Sequence, residues 1–277
     1  MDKSHCQGRR LDLSSPRIMG ILNVTPDSFS DGGRFDRTED AIRHAERMVN
    51  EGADILDVGG ESTRPGASAV GESEEIDRVI PVIESIVSRI DMPVSIDTSK
   101  AAVMNAAVEA GACMINDVNA LRGAGALEVA AGLGVPVCLM HMQGEPRTMQ
   151  QSPSYSEVVS DVIEFLLRRV AACEAVGISR DNIVLDPGFG FGKTLEHNLS
   201  LLRALPSLVE QGYPVLAGIS RKSMLGMITG RDVGQRLAGS LAAALIALQG
   251  GAAILRVHDV AETVDVLRVW QAVSAAN

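Results

Sequence analysis

One alternation, sustained to the end of the chain, limits what it can fold into: a short apolar run, a polar loop, then a stretch with helical periodicity. Eight such runs recur, at residues 18–24, 54–58, 94–97, 114–117, 137–140, 183–186, 215–218 and 254–257. Each is short and apolar on both faces, with Gly or Pro at its borders, as expected of a parallel strand covered on both sides. Pro93, Pro136 and Pro214 open three of them, where a missing N–H breaks no ladder hydrogen bond. The stretches between are amphipathic: Ile76, Val79, Ile80, Ile83, Val87 and Ile90 form one stripe with acidic residues opposite. Pro81 lies inside that stripe and is expected to kink or interrupt the helix. The fifth helix, about residues 156–175, is expected to be the longest. Gly52, Gly111, Gly134, Gly177, Gly212 and Gly250 follow helical stretches, where a left-handed residue closes the last turn.

Eight strand–helix units without a break in composition predict one domain over residues 1–277, a (β/α)8 TIM barrel with its core at about 16–275. The length suits a barrel of roughly 250 residues. A doubly wound open sheet is the alternative arrangement. The segment before Ile18 includes Leu11 and Leu13 and reads as a short N-terminal extension, a hairpin or plug under the barrel. Aromatic residues make up only 3%, so the core must be aliphatic. A net charge of −10 argues against nucleic-acid or anionic-membrane partners, leaving any anionic substrate to a few local cations. Cys6, Cys113, Cys138 and Cys173 show no CxxC spacing and read as reduced thiols of a cytoplasmic protein. The first ten residues lack the apolar stretch of a signal peptide, and the longest apolar run, residues 241–248, is too short to span a bilayer.

In a barrel of this kind, chemistry sits on the loops that follow the strands. Here those positions are Asn23; Glu61, Ser62, Thr63 and Arg64; Asp97; Asn116 and Asp117; Met140 and His141; Asp186; Ser220, Arg221 and Lys222; Arg256, His258 and Asp259. Packing alone does not place hydrogen-bonding groups at the ends of so many apolar strands. Asp97, Asn116 and Asp186 suit a flat heterocycle with adjacent N–H donors, such as a 2-amino-4-oxo-pyrimidine edge. The structural alternative is that each Asp caps the following helix, and Thr98 and Ser99 strengthen it for Asp97. Lys222, Arg256 and His258 follow the seventh and eighth strands, where barrels often hold phosphate.

The polar, Gly-rich loops at residues 25–33 and 62–67 read as lids over the barrel mouth, and Phe29 calls for a ligand or pocket. Residues 188–194 imitate a phosphate-binding loop, but Pro187 stands where the pattern needs Gly, so a nucleotide site is rejected. Phe191 is assigned instead to the heterocycle pocket.

Residues 19–33 (MGILNVTPDSFSDGG) resemble the first signature of the dihydropteroate synthase family of pterin-binding enzymes, and residues 57–66 (DVGGESTRPG) resemble the second. SIDTSK at 95–100, IND at 115–117, LDPGFGFGK at 185–193, GISRKS at 218–223 and RVHDV at 256–260 follow in order. The resemblance covers the chain from about Leu11 onward. It implies that p-aminobenzoate displaces pyrophosphate from 6-hydroxymethyl-7,8-dihydropterin diphosphate to give 7,8-dihydropteroate. It further implies that Asp97, Asn116, Asp186 and Lys222 hold the pterin, with Met140, Phe191 and Gly218 shaping its slot. Arg256 would lie over the ring and meet the diphosphate, and Asn23, Thr63, Arg64 and His258 would complete the anion site. Lys222, Arg256 and Asn23 are the groups implied in catalysis. Asn23 and Asp31 would serve Mg2+. Phe29, Pro65, Lys222 and Ser223 would bound the aminobenzoate pocket, where sulfonamides compete in the family.

The residues agree with that chemistry, because a diphosphate neutralised by Mg2+, Arg and His leaves without a protein nucleophile. No activated Ser or Cys stands in the ring to supply one. The competing readings are a pterin-dependent methyltransferase and a non-catalytic pterin-binding paralogue. The segment from Gln235 to Gln249 is apolar almost all round, which with the family suggests a homodimer through late helices.

Overall fold

The computed structural model describes residues 12–25, 34–62, 69–145 and 148–276. Among them strands β1 (Arg17–Asn23), β2 (Ile55–Gly59), β3 (Val94–Asp97) and β4 (Met114–Asp117) are followed by β5 (Val137–Met140), β6 (Ile183–Asp186), β7 (Leu216–Ala217) and β8 (Ile254–Val257). The helices are α1 (Arg34–Asn50), α2 (Glu72–Arg89), α3 (Ala101–Glu109), α4 (Ala126–Leu133) and α5 (Val158–Ala175), then α6 (Leu195–Arg203), α7 (Leu205–Val209), α8 (Ser223–Thr229), α9 (Leu237–Gln249) and α10 (Val260–Ser274).

All strands run parallel in the order β6-β5-β4-β3-β2-β1-β8-β7. A parallel bridge between Leu185 and Val215 joins the two ends, and the Leu185 N–H donates to the Pro214 carbonyl at 2.9 Å. Closure removes the sheet edges and excludes the open doubly wound alternative.

Strand alternation divides the residues into layers. The outward set includes Leu22, Leu56, Val58, Ile96, Leu139, Leu185 and Leu255, buried under the helices in the main core. The inward set begins with an apolar plug of Met19, Ile55, Met114, Cys138, Val184, Leu216 and Ile254, with Leu13 packed against it. The short extension therefore does close one end of the barrel, although residues 12–16 form no strand of a hairpin. Two residues past Ile55, Met114, Cys138, Val184, Leu216 and Ile254 stand Asp57, Asn116, Met140, Asp186, Gly218 and Arg256, and Asp97 takes the same level on β3, two past the buried Ser95. The step of two that buries the plug thus delivers a polar layer directly above it.

Several local expectations are corrected. Helix α2 continues through Pro81, because Val79, Val82, Ile83 and Ile86 are all fully buried against the barrel. Burial of four such side chains at ~1.5–3 kcal/mol each exceeds the ~3 kcal/mol that an interior proline costs. Helix α5 is no longer than α2, each having 18 residues. The left-handed residue after α9 is Gly251 (φ 89°), not Gly250, which stays right-handed at φ −77°. Strand β7 is reduced to Leu216–Ala217. Cys138 and Cys173 are free and buried, whereas Cys113 is disulfide-bonded and so departs from the reduced thiols expected.

Candidate active site

The polar layer is organised around Arg256. Its Nε donates to Asp57 Oδ2 and its Nη2 to Asp97 Oδ2, both at 2.6 Å. The same Asp57 oxygen accepts the Asn116 Nδ2 amide at 3.0 Å, so the Asn116 carbonyl oxygen is left as an acceptor. Asp57 Oδ1 has no partner among the described residues. Asp57 is fully buried and did not figure among the site residues expected from the sequence. Its signal was there: a carboxylate within an otherwise apolar strand, two positions past Ile55 of the plug.

Arg256 also crosses the division expected between acids on the middle strands and cations on the last ones. From β8 it reaches across the mouth to β2 and β3. Burial pushes the Asp97 carboxyl up to about 7, with Arg256 pulling down and the charges of Asp57 and Glu75 adding to the rise. Gly59 lies between Asp97 and Asn23. A Cβ there would stand 3.5 Å from Asp97 Cβ and 3.7 Å from Asn23 Oδ1, so the missing side chain keeps that corner open.

The opposite side is built from β6 and β7. Asp186 Oδ1 accepts the Gly188 N–H at 2.7 Å, and burial raises its carboxyl while Lys222 opposes the rise. Lys222 donates to the Phe189 carbonyl, with its Nζ 4.6 Å from the centre of the Phe191 ring. Burial pushes the Lys222 ammonium down to about 8. Phe191 packs on Met140, Met142, Met149 and Val118, which gives the cavity an apolar wall. Gly218 leaves room beside Arg256, whose Cβ would be 3.8 Å from a Cβ at that glycine.

Other expected residues divide into those the structure brings to the mouth and those it does not. The Nδ1 of His258 lies 3.0 Å from Ser220 Oγ, which also accepts the His258 N–H at 3.2 Å. Ser223 begins α8 directly after Lys222 and is exposed. Asp117 is spent on the chain itself, its two oxygens accepting the N–H groups of Asn119 and Leu121 at 2.7 Å. Arg221 pairs with Asp259 through two nitrogens. His141 is buried against Lys193. Phe29, Asp31, Thr63, Arg64 and Pro65 lie outside the described residues.

A convergent layer of carboxylates, an amide, a lysine and an arginine beside an apolar wall is a receptor for a flat, polar heterocycle. The sequence decides which one, since the family model for "Pterin binding enzyme" matches residues 19–258. The chain belongs to the pterin-binding enzyme family. Dihydropteroate synthase of Haemophilus influenzae is 54% identical over 274 residues, which is 99% of this chain and 100% of the relative. A dihydropteroate synthase structure of Xanthomonas albilineans with 4-aminobenzoic acid superposes with a TM-score of 0.93 at 57% identity, covering 98% of each chain. Another from that organism, in complex with 7,8-dihydropteroate, gives 0.90 at 53% identity with the same coverage.

Proposed function

We propose that this chain condenses 6-hydroxymethyl-7,8-dihydropterin diphosphate with p-aminobenzoate, giving 7,8-dihydropteroate and pyrophosphate. The observation that carries the reading is the inward layer on which Asp97, Asn116 and Asp186 present acceptors beside Lys222 and Arg256. Full-length similarity to dihydropteroate synthases supports it.

Three acceptors, on β3, β4 and β6, match the N–H donors of a 2-amino-4-oxo-pyrimidine edge, and Lys222 supplies a donor for its carbonyl. Met140, Phe191 and Gly218 bound the slot in which the ring lies. Arg256, with Asn23, His258, Thr63 and Arg64, meets the diphosphate. The bond from the exocyclic methylene carbon to oxygen breaks, and pyrophosphate leaves with the electron pair. The pterin ring delocalises the resulting cation. The arylamine lone pair then forms the carbon–nitrogen bond, and the amine loses its proton to solvent. Phe29, Pro65, Lys222 and Ser223 bound the arylamine. No protein nucleophile takes part; positioning and charge stabilisation lower the barrier.

The residues fit Mg2+. Asn23 at the end of β1 offers a hard amide oxygen beside the corner kept open by Gly59, and Asp31 would add a carboxylate. Few protein ligands are needed, because Mg2+ completes its shell with phosphate oxygens and water. When bound it would neutralise charge on the departing diphosphate.

We propose in addition a homodimer through α8, α9 and α10, which expose Met227, Ile228, Leu245, Ile246, Val269 and Val273. We also place the protein in the cytoplasm, where its small soluble substrates would be found. Incubating purified protein with the pterin diphosphate, p-aminobenzoate and Mg2+ tests the reaction, and absence of pyrophosphate release would refute it. Methyl transfer from a methylated folate would favour the methyltransferase. A monomer by light scattering at micromolar concentration would refute the dimer.

A further inference from the structure

The glycine-rich turn that imitates a phosphate-binding loop is built the other way round. Gly188, Gly190 and Gly192 have φ of 68°, 82° and 61°. Each carbonyl from Gly188 to Gly192 accepts a hydrogen bond from a side chain: Gly188 and Phe191 from Lys193, Phe189 from Lys222, Gly190 from Gln150, and Gly192 from Tyr155. A phosphate cradle instead points N–H groups and a free lysine at its anion.

Lys193 is 3% exposed and is turned into the protein. Its Nζ lies 2.9 Å from His141 Nδ1, 2.9 Å from the Gly188 carbonyl, 3.0 Å from that of Phe191 and 3.3 Å from that of His141. Four acceptors thus surround three ammonium protons. They come from two different loops, His141 after β5 and the turn after β6. Those loops approach closely, since a Cβ on Gly188 would stand 1.9 Å from the His141 carbonyl oxygen. Burial and the neighbouring Lys193 charge push the His141 imidazole down to about 3, so it is neutral and its Nδ1 is available as an acceptor.

A turn with three glycines among five residues has little backbone preference of its own. Its shape must come from what its carbonyls meet. Lys193 supplies two of the five contacts and joins the turn to the neighbouring loop. On the mouth side, the same turn provides the Phe189 carbonyl and the Phe191 ring that receive Lys222. We propose that Lys193, held by His141, is a positioning residue that fixes this turn and through it the ammonium of Lys222 for the pterin. The inference rests on the pterin reading of Lys222.

Lys193→Met keeps an unbranched apolar stem and removes every donor. A second variant, His141→Phe, leaves Lys193 itself in place and retains a ring for the 4.8 Å contact with Phe165. Two readouts apply to both. The first is the titration of Lys222 followed by its 13Cε shift, which needs no substrate and so stands even if the pterin reading fails. Wild type should titrate near 8, and both variants should move upward toward an ordinary lysine, as the loosened turn admits water. The second is steady-state kinetics: Lys193→Met should raise the KM for pterin diphosphate ~10-fold or more, and His141→Phe ~3-fold. The KM for p-aminobenzoate at saturating pterin diphosphate should rise less than that for pterin diphosphate in both, because Lys222 only borders the arylamine while its ammonium meets the pterin. If Lys193→Met fails to fold, His141→Phe alone decides. An unmoved Lys222 titration, or a KM for pterin diphosphate that does not rise, overturns the proposal. A wild-type enzyme that releases no pyrophosphate refutes the proposed function instead and leaves the Lys222 titration as the judge of the lock.

Discussion

Replacing Asp57 with alanine is the sharpest test of how the site is organised, because one oxygen of that carboxylate holds both Arg256 and Asn116. The Arg256 Nε bond is 2.6 Å and charge-assisted on both sides, and the Asn116 bond is 3.0 Å to a charged acceptor. Bonds to charged groups contribute ~1.5–3 kcal/mol each. Part of that loss is offset, since the buried carboxylate itself pays a desolvation cost and Arg256 keeps Asp97. A net loss of ~3 kcal/mol in transition-state stabilisation follows, or ~100-fold in kcat/KM for the pterin diphosphate.

The pH profile should move as well. Asp97 is held up at about 7 by burial, opposed by Arg256, with the Asp57 charge adding to the rise. On the proposed reading Asp97 accepts pterin N–H groups and is needed ionised, so wild-type pterin affinity should fall as pH drops through about 7. Removing the Asp57 charge lowers the Asp97 value, and the acidic limb shifts to lower pH. Pyrophosphate release against pterin diphosphate concentration from pH 5.5 to 8.5 reads both effects. Asp57→Asn keeps the volume and one acceptor oxygen and should lose only ~10-fold. An Asp57→Ala enzyme within ~3-fold of wild type, with its acidic limb unmoved, would refute the argument.

Three further outcomes are expected. Gly188→Ala forces a Cβ to 1.9 Å from the His141 carbonyl at a φ of 68°, and should cost ~3 kcal/mol or more in chemical denaturation. His141 has its pKa lowered to about 3 in the fold against an ordinary 6.5, so it contributes stability above 6.5 that is lost as pH falls toward 3. Denaturation at pH 5 should show ~2 kcal/mol less from this group than at pH 7.5, and His141→Phe should remove that part of the slope. Chelation of divalent cations should abolish pyrophosphate release and Mg2+ should restore it, while pterin binding measured without the diphosphate is unchanged.

Most of the architecture was legible because strand periodicity is a local signal. Five of the eight runs match their strands at both ends. Departures arose where tertiary packing overrides a local rule, as at Pro81, where buried Val79 and Ile83 hold the helix together. The convergence of strand-end polar residues was more legible than their arrangement. Asp97, Asn116, Asp186, Lys222 and Arg256 do converge, yet Arg256 reaching from β8 to Asp57 and Asp97 depends on side-chain length and barrel curvature, which a linear pattern does not contain. Asp117 and His141 looked equivalent to their neighbours in sequence. One-residue alternation turns Asp117 away from the barrel axis, while His141 turns toward Lys193.

The charges of the inner layer place a constraint on how the anionic part of the substrate is held. Asp57, Asp97 and Asp186 face Arg256 and Lys222, and each cation is already engaged within the protein. Three carboxylates against two cations give this layer no surplus positive charge, and the chain as a whole carries −10. The layer is therefore suited to the neutral pterin, whose N–H edge needs acceptors, and poorly suited by itself to a diphosphate. On the proposed reading Arg256 needs help from above the layer: His258 beside Ser220, Arg64 on the second early loop, and Mg2+ served by Asn23 and Asp31 would add the countercharge. On the proposed reading pterin affinity should respond most to Asp97, Asn116 and Asp186, diphosphate affinity to Asn23, His258 and the early loops, and both to Arg256. On that reading the barrel would supply a preorganised receptor for the ring, and the segments after β1 and β2 would add charge that lets pyrophosphate depart.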